Sequence, residues 1–157
     1  MSELRPLPSA TLHDGSLAPE GFTLASLDGQ KVALATSLRG RPAVINFFAS
    51  WCTLCRQELT DFAATSRAYG GAVGFIGIDT NDPGARSALL ALVRQAGVGY
   101  PVVLDTSALV AAAYGISGLP VTFVLDAAGK VRVEFLGRVG AADLRRAVSP
   151  LLSADAA

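Results

Sequence analysis

Residues 49–58 read ASWCTLCRQE. This stretch holds both cysteines of the 157-residue chain, Cys52 and Cys55, and its one tryptophan, Trp51. It follows the apolar run RPAVINFF at 41–48, which reads as a strand buried on both faces. It precedes a helical pattern in which Leu59, Phe62, Ala63 and Ser66 recur at helix spacing. Cys52 therefore falls at a strand-to-helix junction, at or near the helix N-cap. Unsatisfied N–H groups and the helix dipole favour negative charge there, and a thiol is nucleophilic only as thiolate. Cys55 lies one turn further along the same face, placed to close a disulfide. Attack by Cys52 and resolution by Cys55 is the pattern that thiol–disulfide exchange needs. A pair of inert buried cysteines is the competing reading of the spacing alone.

Composition narrows the alternatives. Thirteen basic and thirteen acidic residues cancel, and about half the residues are apolar. No basic stripe suggests nucleic acid, and no run approaches the length of a membrane span. A Cys52–Cys55 bridge closes too small a loop to be a useful structural staple. Two thiols and one histidine, His13, fall short of a zinc site, so no metal and no cofactor is expected. His13 reads as a solvated residue of a flexible N-terminal arm, residues 1–20, which carries three prolines and neither the basic nor the apolar region of an intact signal peptide.

Beyond the arm, residues 21–153 read as one domain. Phe22–Ala25 and Lys31–Ala35 flank Asp28-Gly29, a hairpin signal. Gly70-Gly71 stops the helix after the cysteines, and AVGFIGID at 72–79 is the next buried strand. Asp82-Pro83 predicts a helix start, with Leu89, Leu92, Val93 and Ala96 on its buried stripe and Gly97 at its end. PVVLD at 101–105 is a short strand, and Ser107–Tyr114 a short helix ended by Gly115. PVTFVLD at 120–126 and KVRVEFLG at 130–137 form a hairpin. Arg132 and Glu134 alternate with Val131, Val133 and Phe135, which predicts a half-exposed last strand. Leu144, Ala147, Val148 and Leu151 stripe a closing helix. Helices between buried strands predict an α/β fold with a parallel core, made mixed by the late hairpin.

These motifs together resemble the TlpA-like and ResA-like thioredoxin-fold thiol–disulfide oxidoreductases of the redoxin/AhpC-TSA superfamily. The resemblance rests on AVINFFASWCTLCRQE, FTLASLDGQKVAL, LRGRPAVINF, GIDTND and YGISGLPVTFVLD, in that family's order from Phe22 onward. It implies a thioredoxin fold: a central mixed sheet flanked by helices, an N-terminal β-hairpin and a central αβ insertion. It implies a cis Leu119–Pro120 bond facing the cysteines, where the Leu119 backbone pairs with an extended substrate. Trp51 reads as packing beside the motif and shaping the approach, and Leu54 as an apolar side chain that can meet the partner. The resemblance also supports proton handling by Glu58, where thioredoxins proper have a buried Asp at the position of Asn46; helix spacing alone makes Glu58 a solvated carboxylate. The implied partners are protein thiols or disulfides and a redox partner protein, met as a monomer. The implied place is outside the cytoplasm, with an export signal or membrane anchor outside this chain, and commonly a role in reducing apocytochrome; a cytoplasmic protein starting at Met1 is the alternative.

One departure stands out. The family usually has Pro at the position of Leu54. With Cys52 as N-cap, Leu54 is the second helical residue, and its N–H is expected to point at the Cys52 sulfur and to favour the thiolate. Two rival functions are weaker. A thiol-dependent peroxidase needs Thr or Ser three residues before its reactive cysteine, where this chain has Ala49 before Cys52 and Cys52 before Cys55. A copper-binding or delivery module lacks supporting histidines and methionines, Met1 being the sole Met.

Overall fold

The computed structural model describes residues 3–5 and 15–156. The apolar run does form a strand, β4 (Ala43–Phe48), and every residue of it is buried. Alternation then sends its side chains to opposite faces. Ala43, Ile45 and Phe47 join one core with Ile76, Ile78, Phe123 and Tyr114. Val44 joins a second core with Phe62, Phe75, Val124, Leu144 and Val148. Asn46 lies on that second side, a polar residue at the centre of an otherwise apolar strand.

The elements before β4 are β1 (Glu3–Arg5), β2 (Thr23–Ala25), β3 (Lys31–Ala33) and α1 (Leu34–Leu38). After it come α2 (Thr53–Tyr69), β5 (Gly74–Thr80), α3 (Arg86–Ala96) and β6 (Val102–Asp105). The chain finishes with α4 (Leu109–Ala113), β7 (Val121–Leu125), β8 (Val131–Leu136) and α5 (Ala141–Ala156). The main sheet has the order β1-β8-β7-β4-β5-β6. β4, β5 and β6 are parallel, while β7, β8 and β1 add antiparallel pairs on the other side. The mixed sheet, flanking helices, β2–β3 hairpin and central α3–β6 unit are the expected thioredoxin fold.

Leu59, Phe62 and Ala63 are the buried stripe that lays α2 on the sheet. Burying a Leu or Phe stabilises by roughly 1.5–3 kcal/mol each, so this stripe outweighs the weak propensity of the helix's threonines and serine. Gly70, at φ 59°, ends α2, and Gly97, at φ 77°, ends α3, conformations that side chains resist.

Several sequence expectations about the elements are corrected by the structure. First, Asp82-Pro83 does not open α3, which starts at Arg86 after an Ala85 cap with no side-chain bond. The Asp82 carboxylate is instead occupied by the backbone N–H and hydroxyl of Ser50. Second, the short helix starts at Leu109 rather than Ser107, because the Asp105 carboxylate accepts the N–H groups of Val110 and Ala111 and so fixes its first turn. Third, Glu134 is buried, because β8 is not an edge strand: β1 pairs along it, Arg5 opposite Glu134. Fourth, that pairing and the contacts of residues 15–19 tie parts of the expected arm to the domain. Gly15 and Ala18 donate to Val131 and Gly129, and the Tyr114 hydroxyl donates to the Pro19 carbonyl at 2.6 Å. His13 lies outside the described residues.

Candidate active site

Cys52 is the N-cap of α2, with extended backbone at φ −83° and ψ 113°. It is bonded to Cys55 in a disulfide with Cα atoms 5.2 Å apart. The sulfur of Cys52 accepts the backbone N–H of Cys55 at 3.2 Å. The donor is thus the third helical residue, and the expectation that Leu54 supplies it is corrected: the cap geometry aims the N3 amide at the sulfur. The two thiols differ in access. Cys52 is 5% exposed, whereas Cys55 is 0% exposed. Only Cys52 offers an edge to a partner, as the nucleophile of an exchange must.

Around that edge stand two exposed apolar side chains, Trp51 at 58% and Leu54 at 46%. The Trp51 indole N–H donates to the Asn81 carbonyl at 2.8 Å, which fixes the ring. Leu119 packs partly buried against the same cluster as Cys52, Cys55, Phe48 and Leu59. The Leu119–Pro120 peptide bond is cis. Among the described residues neither backbone group of Leu119 is hydrogen-bonded. The structure therefore brings the cysteines, Trp51, Leu54, Leu119 and Pro120 into one neighbourhood. Arg56 is exposed beside them.

Glu58 is the largest departure from helix-spacing logic. Its side chain is fully buried, not solvated. Helix spacing puts it one turn beyond Cys55 on the face turned to the sheet. One carboxyl oxygen accepts from the Asn46 amide at 2.8 Å and the other from the Val139 N–H at 2.9 Å. Asn46 also donates to Thr122, its neighbour across the β4–β7 ladder. Burial pushes the Glu58 carboxyl up to about 8, against the pull of those two donors and of the Arg138 charge. It is therefore a protonated acid near neutrality that can give up its proton within the range where a thiol ionises. The sequence could not show this burial, because the covering residue, Val139, comes from the corner between β8 and α5.

Two further groups escaped the sequence reading. Asp79, at the end of β5, and Asp82, in the following loop, lie beside the segment that leads into Cys52. The Asp-Pro pattern had disguised Asp82 as a helix cap. Tyr100 has a buried hydroxyl that lacks a partner among the described residues.

Chemically, the arrangement can run a two-electron exchange. In such an exchange, starting from the dithiol form, a Cys52 thiolate would attack one sulfur of a partner disulfide. The partner S–S bond breaks, a Cys52 mixed disulfide forms and the first partner thiolate leaves. Cys55, losing its proton, then attacks the Cys52 sulfur; the Cys52–Cys55 bond forms and the second partner thiolate leaves. Reversal of the same steps oxidises a partner dithiol.

Comparison with known proteins agrees with this chemistry. The AhpC/TSA family model matches residues 15–134. The chain is 32% identical to the thiol-disulfide oxidoreductase ResA of Bacillus subtilis over 121 residues, 77% of this chain and 66% of that protein. It is 32% identical to the thiol:disulfide interchange protein DsbE of Allochromatium vinosum over 138 residues, 87% of this chain and 74% of that protein. The chain thus spans about two thirds to three quarters of the length of these relatives. A solved structure of a secreted Mycobacterium tuberculosis disulfide oxidoreductase superposes with a TM-score of 0.72 at 25% identity, covering 85% of this chain and 96% of that one. With a redox disulfide at a helix N-cap and relatives of this kind, the chain is a thiol–disulfide oxidoreductase with a thioredoxin fold, and it belongs to the AhpC/TSA family.

Proposed function

We propose that this oxidoreductase works outside the cytoplasm on protein thiols and disulfides, with Cys52 as nucleophile, Cys55 as resolving thiol and Glu58 as the proton acceptor and donor for Cys55. The observation that carries the assignment is the asymmetry of the pair: Cys52 at the helix cap with an accessible edge, Cys55 enclosed one helical turn before a buried acid. Trp51 and Leu54 form an apolar collar for the partner. The backbone of Leu119, beside the cis bond to Pro120 and unpaired among the described residues, offers strand-like hydrogen bonds to an extended partner segment. The catalytic unit takes in residues 15–153, with residues 15–19 bound to it, and acts as a monomer, with a separate redox protein restoring it. The secreted oxidoreductase on which it superposes and the similarity to ResA and DsbE support the extracytoplasmic setting. In that setting the substrates are exported thiol proteins, apocytochrome among them.

The test is a trap. Cys55→Ser leaves a nucleophile with no resolving thiol, so mixed disulfides joined through Cys52 accumulate with partner proteins, while Cys52→Ser accumulates none. Equal trapping through neither thiol, with a wild type inert towards protein disulfides, refutes the assignment. Fractionation of cells expressing the complete gene tests the location, and recovery with the cytoplasmic fraction overturns it.

A further inference from the structure

The segment that enters the active site is held by a loop that takes no part in the exchange. The Asp82 carboxylate accepts the Ser50 backbone N–H at 2.7 Å through one oxygen and the Ser50 hydroxyl at 2.9 Å through the other. It also accepts the Gly84 N–H at 3.1 Å, which closes the loop on itself. One residue earlier in this loop, Asn81 presents its carbonyl to the Trp51 indole. Asn81 does so from a left-handed backbone, φ 51°, a conformation Asn tolerates better than most residues. Two consecutive residues, Ser50 and Trp51, are thus fastened immediately before Cys52. Beneath the latch lies Asp79, 8% exposed, on β5 between Phe48 of β4 and Leu104 of β6.

We propose that Asp82 is a positioning residue for thiol–disulfide exchange, acting through Ser50 and Trp51, and that the buried carboxyl of Asp79 at the end of β5 keeps it in place. The proposal rests on exchange at Cys52–Cys55. An acid pair of this kind keeps one proton because two carboxylates in contact cannot both ionise without a cation. The charged groups that raise Asp79 are Asp82 and, from β6, Asp105. Asp105 accepts from Thr80 and from the N–H groups of Val110 and Ala111, and its charge opposes ionisation of Asp79. Burial, with the shared proton and the two neighbouring charges, pushes Asp79 up to about 8. Burial acts against Asp82 as well, but the donors Asp79, Ser50 and Gly84 outweigh it and hold Asp82 below the usual carboxylate range. The pair is therefore Asp79 protonated and Asp82 ionised. When Asp79 loses its proton, two carboxylates face each other, Asp82 is driven off and Ser50 and Trp51 are released.

Trp51 is the one tryptophan, so its fluorescence reads the latch directly. The oxidised protein is used, in which neither cysteine titrates, and Trp51 quenching by acrylamide is followed from about pH 6 to about pH 10. In the wild type, quenching rises about twofold with a midpoint near 8, as the shared proton leaves. In Asp79→Asn the side-chain amide donates to Asp82 at every pH, and the transition disappears with Trp51 held. In Glu58→Gln the transition remains. In Asp82→Asn, Trp51 is readily quenched at every pH, and kcat/KM towards a protein disulfide falls about tenfold, the order of one charge-assisted hydrogen bond, chiefly through KM. Gly84→Ala provides a second route that removes no polar group. A Cβ there lies 3.1 Å from both the Asp82 carboxylate and the Ser50 hydroxyl, so it wedges the latch and acts in the direction of Asp82→Asn. The proposal is overturned by a transition that persists in Asp79→Asn or vanishes in Glu58→Gln. It is equally overturned by Asp82→Asn and Gly84→Ala proteins that match the wild type in quenching and in KM. A wild type without exchange activity counts against the enzyme assignment alone, since the fluorescence arm does not depend on it.

Discussion

Replacing Glu58 by Gln removes a single titration from the core, and its effect on stability has a calculable sign. The carboxyl is raised from 4.5 to about 8 by burial in the folded protein, while in the unfolded chain it titrates near its ordinary value. Between those limits the native state holds a proton that the unfolded state has lost. The stabilisation is complete below about pH 4.5, falls as pH rises, and is gone once pH passes about 8. Each pH unit inside the window corresponds to about 1.4 kcal/mol. From about pH 5 to about pH 8 the ceiling is ~4 kcal/mol, and relaxation around a newly charged carboxylate lowers it to ~2–4 kcal/mol. The Glu58→Gln protein has no such window. The new side-chain carbonyl still accepts the Val139 N–H, and the new amide can donate to Asn46 once the Asn46 amide turns, since the Asn46 Oδ1 lacks a partner among the described residues. Urea unfolding of the oxidised wild type and of Glu58→Gln at a series of pH values gives the difference in stability. Asp79 titrates in both proteins and cancels. The wild type should lose ~2–4 kcal/mol relative to the variant across the window. A difference constant to within about 0.5 kcal/mol refutes the buried, protonated Glu58.

Two other outcomes follow from the packing. Leu54→Pro should leave the alkylation pKa of Cys52 within about 0.3 units of the parent, measured by alkylation rate against pH on the reduced protein, because the cap donor is the Cys55 N–H and proline is tolerated in the first helical turn. Gly74→Ala should cost ~1–3 kcal/mol in thermal or urea unfolding, because a Cβ there lies 2.9 Å from the Ser37 carbonyl oxygen, a backbone atom that cannot step aside cheaply.

The sheet was readable wherever one residue's neighbours in sequence decide its state. β4 announces itself as an unbroken apolar run, and Cys52 as the residue between that run and a helical stripe. What was hidden depends on chain segments far away. Glu58 looks like a surface carboxylate until Val139, 81 residues later, closes over it. Glu134 looks solvent-facing until β1, from the other end of the chain, lies along β8. Asp82 carries the signature of a helix cap, but the competing donors on Ser50 take its carboxylate first. In each case a polar side chain was misplaced, because burial of a polar group is set by the distant partner that satisfies it. Leu119 and Pro120 show the converse: local chemistry reads them only as the start of a strand, and the cis bond entered through the family resemblance.

The amide that meets the Cys52 sulfur belongs to the backbone of α2, anchored by the buried side chains of Cys55, Leu59 and Phe62. Its position is therefore set by the packing of the helix rather than by the charge on the sulfur. When the disulfide is reduced, the new negative charge arrives opposite a dipole that is already oriented. Water would have to rotate to solvate such a charge, and that reorientation is a large part of the barrier to creating ions in solution. Here the solvation shell is partly built into the fold, so reduction and reoxidation proceed with little reorganisation around the reacting sulfur.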